Sequence, residues 1–350
     1  MKKESLNILA WKKLKQDRLS FFSLSFILLI ILIGLFAVVI SPDNSKFANE
    51  MHIELATKKP LFNVLFLEIP KDKIEKVNFW ESIFIGRNLK VNRIPIDSFT
   101  VSNNKVKYFP YNSIIEKEYV GDYKISKYFF LLGTDKFGRD FLSRMLYGIR
   151  ISLSVGFISV FISIIIGVTL GLVAGFFGGK IDDLIMWVIN VVWSIPTLLM
   201  VIAITLVLGK GFWQVFIAVG LTMWVEVARI VRGQVLVIRE LEYIEAGQVL
   251  AYTPIRLMFK HILPNVIGPV IVISAANFAA AILIESGLSF LGIGVQPPIP
   301  SWGGMIKDHY SYLLMDKAYL AFIPGFAIMS LVLSFMLLGN GLRDAFDVKK

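Results

Sequence analysis

The sequence predicts an all-α polytopic membrane protein of six transmembrane helices, with a small extracytoplasmic insertion of mixed or β structure between the first and the second. Three observations carry this. The chain of 350 residues is 56% hydrophobic and only 18% charged, with a mean hydropathy of +0.68. Soluble domains lie nearer about 45–50% apolar and about 25% charged. Six apolar runs approach or exceed the roughly 20 residues that a spanning helix needs. Between the first two runs lies a polar stretch, residues 42–130, that no spanning helix accommodates. There is no cysteine, so disulfides, thiol nucleophiles and cysteine metal sites are excluded. His52, His261 and His309 are too scattered for a metal cluster. The net charge of +10 is read as cytoplasmic Lys and Arg meeting anionic lipid, not as a nucleic-acid site.

Residues 1–20 form a basic leader containing Lys2, Lys3, Lys12, Lys13, Lys15 and Arg18. The first span follows over residues 21–41. The apolar core exceeds that of a cleavable signal and no Ala-x-Ala site follows, so an uncleaved helix with a cytoplasmic N-terminus is expected. Residues 42–130 hold β-prone pieces at Leu61–Ile69, Ser82–Ile85 and Val106–Phe109, separated by Pro60, Pro70, Pro95 and Pro110.

Residues 131–346 carry five further spans. Ahead of the second, Thr134 or Asp135 can cap a turn and Gly138 can bend it. Arg139, Asp140 and Arg144 suit an interfacial helix with snorkelling arginines. The second span, about Ile151–Phe176, repeats Gly167, Gly171 and Gly175 every four residues. Such a small-residue face serves close packing, within the chain or against a second subunit. The third, about Leu184–Leu208, starts near Asp182 and Asp183, and Pro196 should kink it. A kinked helix of this kind often lines a transport pathway.

The fourth span, about Gly211–Ile230, carries Glu226. An ion pair with Arg229 or Arg232 satisfies that acid, and a pathway contact is the alternative. Residues 229–263 form a cytoplasmic loop. Thr253 fits a helix N-cap, with Pro254 at the first helical position. Ile255, Met258, Phe259 and Ile262 then make one apolar stripe; Pro264 stops that helix and can open the next apolar run. Arg256 and Lys260 lie four apart and would repel unless something acidic faces them. The fifth span, about Asn265–Ile284, is small and polar, with Ser274 and Asn277, and Glu285 follows it. A Gly/Pro loop then leaves the membrane, with Trp302 as an interfacial anchor. The last span is about Tyr319–Leu338, followed by a short tail. Both termini are expected in the cytoplasm.

Three separated stretches carry a resemblance. Gly133-Thr134-Asp135, Gly138-Arg139-Asp140, and the later Gly148-x-Arg150-x-Ser152-Leu153 resemble the entry segment of bacterial ABC importer permeases of the oligopeptide, dipeptide and nickel type. Glu245-Ala246-Gly247, with Ala251 four residues on and Pro264 downstream, resembles their Glu-Ala-Ala loop. Gln296-Pro297-Pro298, Trp302 and Gly303 resemble a later signature of the same permeases. The family pattern usually has Ala where this chain has Gly247, and Gly where it has Ala251.

The resemblance implies the type I importer permease fold and the second, C-type, permease of a pair. It implies a second permease subunit, two ATP-binding subunits carrying ATP and Mg, an extracytoplasmic substrate-binding protein and a peptide-like substrate. A nickel complex or glutathione is the alternative within the family. Glu245, Ala246, Gly247, Ala251, Arg256 and Pro264 are then the coupling residues toward the ATPases. Pro196, Glu226, Asn277 and Glu285 are candidates for the pathway or its gating.

This chain itself is expected to bind no cofactor or metal and to be no enzyme. Gly179-Lys180 and Gly209-Lys210 lack the spacing of a phosphate-binding Walker loop, and no Gly-x-Ser-x-Gly or His-Glu-x-x-His occurs. An ion- or proton-coupled secondary carrier, with Glu226 and Glu285 as coupling acids, is the reading from another class. It would not require so long a cytoplasmic island.

Overall fold

The structure, a computed structural model, describes residues 6–71, 78, 82, 85–102, 105–209 and 211–346. Lys2, Lys3, Lys210 and part of the 82–85 piece lie outside them. The chain forms two compact units. One comprises Met1–Ile30, Ser152–Gln296 and Phe326–Lys350; the other comprises Ile31–Ile151 and Pro297–Gly325.

The basic leader is helical, Leu6–Gln16 (α1). Asp17 separates it from Arg18–Leu35 (α2). The Asp17 carboxylate accepts from the amides of Leu19 and Ser20 at 3.2 and 3.3 Å, and from the Ser20 hydroxyl. An N-cap of this kind satisfies amides that have no partner inside the helix. A short helix, Ala37–Ile40 (α3), follows.

The polar stretch folds as a five-stranded antiparallel sheet of order β4-β3-β2-β1-β5. The strands are Phe62–Pro70 (β1), Val91–Ser102 (β2), Lys105–Pro110 (β3), Lys117–Val120 (β4) and Lys124–Phe130 (β5). Alternation along β1 sends Val64 and Phe66 to one face, packed with Leu55 and Phe130. Leu65, Leu67 and Ile69 go to the other face, packed with Ile96, Val106 and Tyr108. Both faces of β1 are covered, so it reads as a continuous apolar run. Pro95 does not separate strands. It lies inside β2 opposite Phe66, and the register shifts between Ile96 and Ser98. A bulge tolerates the missing amide donor. β4 and β5 escape a pattern search because charged residues interrupt their alternation, and β2 because Pro95 lies inside it.

Among the described residues, five helices are long and apolar enough to cross a membrane: α2, Phe141–Phe177 (α4), Phe212–Arg239 (α7), the continuous stretch Pro254–Leu291, and Tyr319–Phe346 (α12). The expected third span is a bent pair, Gly179–Trp193 (α5) and Thr197–Leu208 (α6), set at 89°. Pro196 therefore breaks the helix where a kink was expected, and six spans are reached if the pair counts as one.

The glycine face of α4 packs within the chain. A Cβ added at Gly167 would lie 2.5 Å from the Val227 Cβ. At Gly171 it would lie 2.6 Å from the Ala228 carbonyl, and at Gly175 2.7 Å from the Val235 Cβ. These three glycines let α4 and α7 approach closely, which answers the question of where that face is spent. α7 also runs nine residues past Ile230, so much of the expected loop 229–263 is helix.

After Glu242–Val249 (α8) come Pro254–Arg256 (α9) and a π-helical turn, Leu257–Ile262, which runs directly into Leu263–Leu291 (α10). Pro264 consequently stops no helix; it lies in the first turn of α10 and opens the next apolar run, the other part of its expectation. The π turn also shifts the buried face. Leu257, Met258 and Ile262 are buried, whereas Ile255 and Phe259 are exposed, so the single apolar stripe does not form. The C-terminal tail is the last turns of α12, to Phe346.

Candidate coupling surface and substrate pathway

Five of the six expected coupling residues come together in one hairpin. Ile244 and Gly247 face inward from α8. Ile244 joins Met258, Ile262, Val235, Ile238 and Leu172 in one apolar core. A Cβ at Gly247 would meet the Leu257 Cδ2 at 2.8 Å. Tyr252 donates its amide to the Gly247 carbonyl at 3.0 Å, and its ring carries the Arg256 guanidinium at 3.7 Å. His261 stacks against the same tyrosine. Among the described residues no salt bridge reaches Arg256; the tyrosine ring holds it. The Thr253 hydroxyl accepts from the Arg256 amide at 3.4 Å, which is the expected cap.

Ala251 has φ +55, the left-handed region that favours glycine. Close packing alone does not explain a glycine there; backbone conformation does. Glu245, Ala246, Ala251 and Arg256 face outward, together with the exposed Val249, Leu250, Ile255 and Phe259. Pro264 is also exposed, beside Asn265. The Asn265 side-chain amide donates to the Tyr243 hydroxyl at 3.2 Å and to the His261 carbonyl at 2.7 Å.

The hairpin is mounted rigidly. Arg239 donates to the carbonyls of Gly175 and Phe176, at 3.3 and 3.1 Å, capping α4. Arg232 grips Asp182 through two bonds of 2.5 and 2.6 Å, tying α5 to α7. Arg229 lies 3.5 Å over the Trp193 ring. Among the described residues the expected ion pair from Glu226 to these arginines is absent; Asp182 and the Trp193 ring engage them. Glu226 instead lines a cavity of about 180 Å³ with Trp193, Ile195, Thr197, Met200 and Met223. Pro196 sits at the helix break between two of these residues. Trp193 was missed by sequence reasoning; a tryptophan three residues before Pro196, at the end of α5, was its only signal.

Asn277 and Glu285 do not line this cavity. Both are buried on α10, and the Ser289 hydroxyl donates to the Glu285 carboxylate at 2.7 Å, near the loop that follows the helix. Gln296 closes that loop by donating to the carbonyls of Gly292 and Gly294.

The segment 133–140 is a turn, not an interfacial helix, and Arg139 in it and Arg144 at the start of α4 are both buried. The Asp135 carboxylate accepts from the amides of Phe137 and Arg139 at 2.8 and 3.0 Å, and from the Arg139 guanidinium at 2.6 Å. Arg144 lies 3.8 Å away. Arg139 also reaches the Asn49 side chain at 2.9 Å. Thr134 accepts from the Lys58 amide at 2.8 Å and donates to the Leu55 carbonyl. Gly133 and Gly138 take φ of +74 and +72. Asp140 accepts from the Ser143 amide at 2.6 Å, capping α4, and burial pushes its carboxyl up to about 6.

Trp302 is likewise no interfacial anchor. It is 2% exposed and donates to the Met145 carbonyl at 3.1 Å. A Cβ at Gly148 would lie 2.6 Å from its ring. Gly303 is buried beside it in Trp302–His309 (α11), which follows Pro297 and Pro298.

Residues 167–349 match the family described as the binding-protein-dependent transport system inner membrane component. Residues 5–60 match the N-terminal transmembrane domain of oligopeptide transport permease C. A dipeptide transport permease of Alkalihalophilus pseudofirmus is 35% identical over 288 residues, 80% of this chain and 93% of its own. One from Bacillus subtilis is 43% identical over 217 residues, 62% and 68% of the two chains. A glutathione transport permease of Pectobacterium atrosepticum is 40% identical over 218 residues, 62% and 72%. A methionine ABC transporter solved in inward-facing conformations aligns with a TM-score of 0.48 at 18% identity, covering 59% of this chain and 97% of the other.

The chain belongs to the family of binding-protein-dependent transport system inner membrane components: it is the multi-pass permease subunit of an ABC importer. Within that family it is a C-type permease of the oligopeptide and dipeptide kind.

Proposed function

We propose that this chain forms half of the translocation pathway of an ATP-driven importer of oligopeptides or dipeptides, and couples to ATPase subunits through α8. The observation that carries the coupling is the division of labour inside the hairpin. Ile244 and Gly247 root it in the core of α4 and α7, while Glu245, Ala246, Ala251 and Arg256 stand exposed among apolar side chains. A partner that binds this surface therefore pulls directly on two spanning helices. Glu245 offers a carboxylate to a basic residue of the ATPase.

A second permease completes the pathway. Two ATP-binding subunits bind ATP and Mg, and this chain binds neither. The five-stranded sheet lies outside the cell, where a substrate-binding protein delivers peptide, and both termini are cytoplasmic. Peptides are favoured over glutathione or a nickel complex because the matched N-terminal segment and most of the similar permeases belong to oligopeptide or dipeptide systems.

The test is a mild-detergent pull-down of the tagged chain from its native membranes, with partners identified by mass spectrometry, repeated with Glu245→Lys. Recovery of a second permease and ATPases, with the ATPases lost from the variant, is the expected result. Recovery of the chain without any ATPase sinks the reading and favours a secondary carrier.

A further inference from the structure

Glu226 is residue 15 of the 28 in α7, four residues before the expected cytoplasmic end of the span, and its side chain is exposed on the helix. A carboxylate on an apolar span is costly unless a cation or water meets it. The two arginines that spacing offers are engaged elsewhere, Arg232 with Asp182 and Arg229 with Trp193 and Asn190. Among the described residues no salt bridge reaches Glu226. The nearby Thr222 hydroxyl donates to the Val219 carbonyl at 2.8 Å and so does not serve the acid.

The carboxylate opens into the 180 Å³ cavity, whose other walls are mostly aromatic, aliphatic and thioether. That volume is well below the roughly 300 Å³ of the smallest usual ligand pockets, so it accepts one residue of a peptide rather than the whole. The cavity adjoins the 89° break between α5 and α6. One acid in an apolar, aromatic niche selects a compact cation attached to an apolar group.

We propose that Glu226 receives the α-ammonium of the peptide in transit, with the first side chain of that peptide resting on Trp193, Met200 and Met223. This rests on the peptide-importer reading above and extends it. The pathway then has a polar contact that every peptide with a free amino end satisfies, whatever its sequence. Specificity toward side chains is left to a wall of flexible methionines, which repack around different shapes.

The complete importer, reconstituted in proteoliposomes with ATP, tests this by uptake of labelled trialanine. Glu226→Gln lowers uptake at least tenfold and Glu226→Asp keeps it within threefold, with assembled complex recovered in normal yield for both. The chain has no cysteine, so Met200→Cys, on the cavity wall with Glu226 left intact, provides its one thiol. Trialanine in transit should slow the labelling of that thiol by 2-aminoethyl methanethiosulfonate at least fivefold. Uptake by Glu226→Gln equal to wild type overturns the proposal. So does a thiol that is unlabelled, or labelled at the same rate with and without peptide, which would mark a pair with the second permease or a lipid-facing site. Failure of the wild type to import any peptide would instead overturn the importer reading itself, and this proposal with it.

Discussion

Two short stretches carry the strongest motifs in the chain, and they face opposite ways. In 133–140 the polar groups turn inward. Thr134, Asp135, Arg139 and Asp140 are all buried, and their partners are backbone amides, carbonyls and one another. In 245–251 the motif residues turn outward, apart from Gly247. The first stretch holds its unit together; the second is held, and presents a surface. A motif identifies a family equally well in either case, but only the direction of its side chains says whether it stabilises or binds.

The largest expected effect breaks the inward motif. Asp135→Ala leaves the Arg139 guanidinium buried without its carboxylate and two amides without acceptors. Removing one partner of such a buried pair costs about 3–5 kcal/mol. Folded protein in detergent should fall severely, measured by fluorescence-detected size exclusion. Glu245→Lys should do the reverse, changing stability by no more than about 0.5 kcal/mol while abolishing ATPase capture. Equal loss of fold in both variants would erase the distinction between the two motifs.

Gly171→Val comes next. Its Cβ would press on the Ala228 carbonyl at 2.6 Å and on Val231 at 2.7 Å. Overpacking of this kind costs roughly 1–3 kcal/mol. Because α4 and α7 also carry the hairpin, ATPase capture should weaken together with thermal stability. Unchanged stability would show that the helices part easily.

Asp140 sharpens the inward side through pH. Its carboxyl is raised to about 6, first by burial, against the lowering hydrogen bonds of Ser143. A carboxyl raised in the folded state gives stability that is full below its ordinary value of about 4 and is lost as pH rises through about 6. Asp140→Asn removes that decline, on the order of 2 kcal/mol, and leaves the share of Asp43, which burial also raises. Melting temperatures of both forms across pH 4–7 provide the check. The gap should widen in favour of the variant up to about pH 6.5 and then level off; a gap independent of pH counts against the raised carboxyl.

The smallest effect lies in the outward motif. Ala251→Gly relieves a left-handed alanine, worth about 1 kcal/mol, less some added freedom in the unfolded chain. A rise in melting temperature of a degree or two is expected, with ATPase capture retained. A fall would mean that the alanine methyl packs against something the hairpin needs.

Much was legible in advance. The apolar runs located the spans, Thr253-Pro254 marked a helix start, and the four-residue glycine spacing marked a packing face. Each is a pattern between near neighbours, which helix geometry turns directly into a face or a boundary. The sheet was legible only in part. β1 and β3 are apolar enough to be seen, whereas Pro95 disguised β2 and charges disguised β4 and β5. Within the candidate site, Gly247 and Ala251 were found, but the reason for a glycine at 251 was a backbone angle. Composition does not display angles. Trp193 and the Glu226 cavity were illegible as a pair because 33 positions separate them.

Sequence alone therefore determined the class of the protein, the order of its spans, the family and the place of the hairpin that we propose for coupling. These depend on hydropathy summed over about 20 residues and on motifs contiguous in the chain. Tertiary structure alone decided that the glycine face is spent on α7, that Arg232 belongs to Asp182 and not to Glu226, that Trp302 is buried under Met145, and that Pro196 breaks its span. Each of these is a choice among partners distant in sequence. Such a choice is settled by distance and by competition for a charge or a surface, and neither exists until the chain has folded.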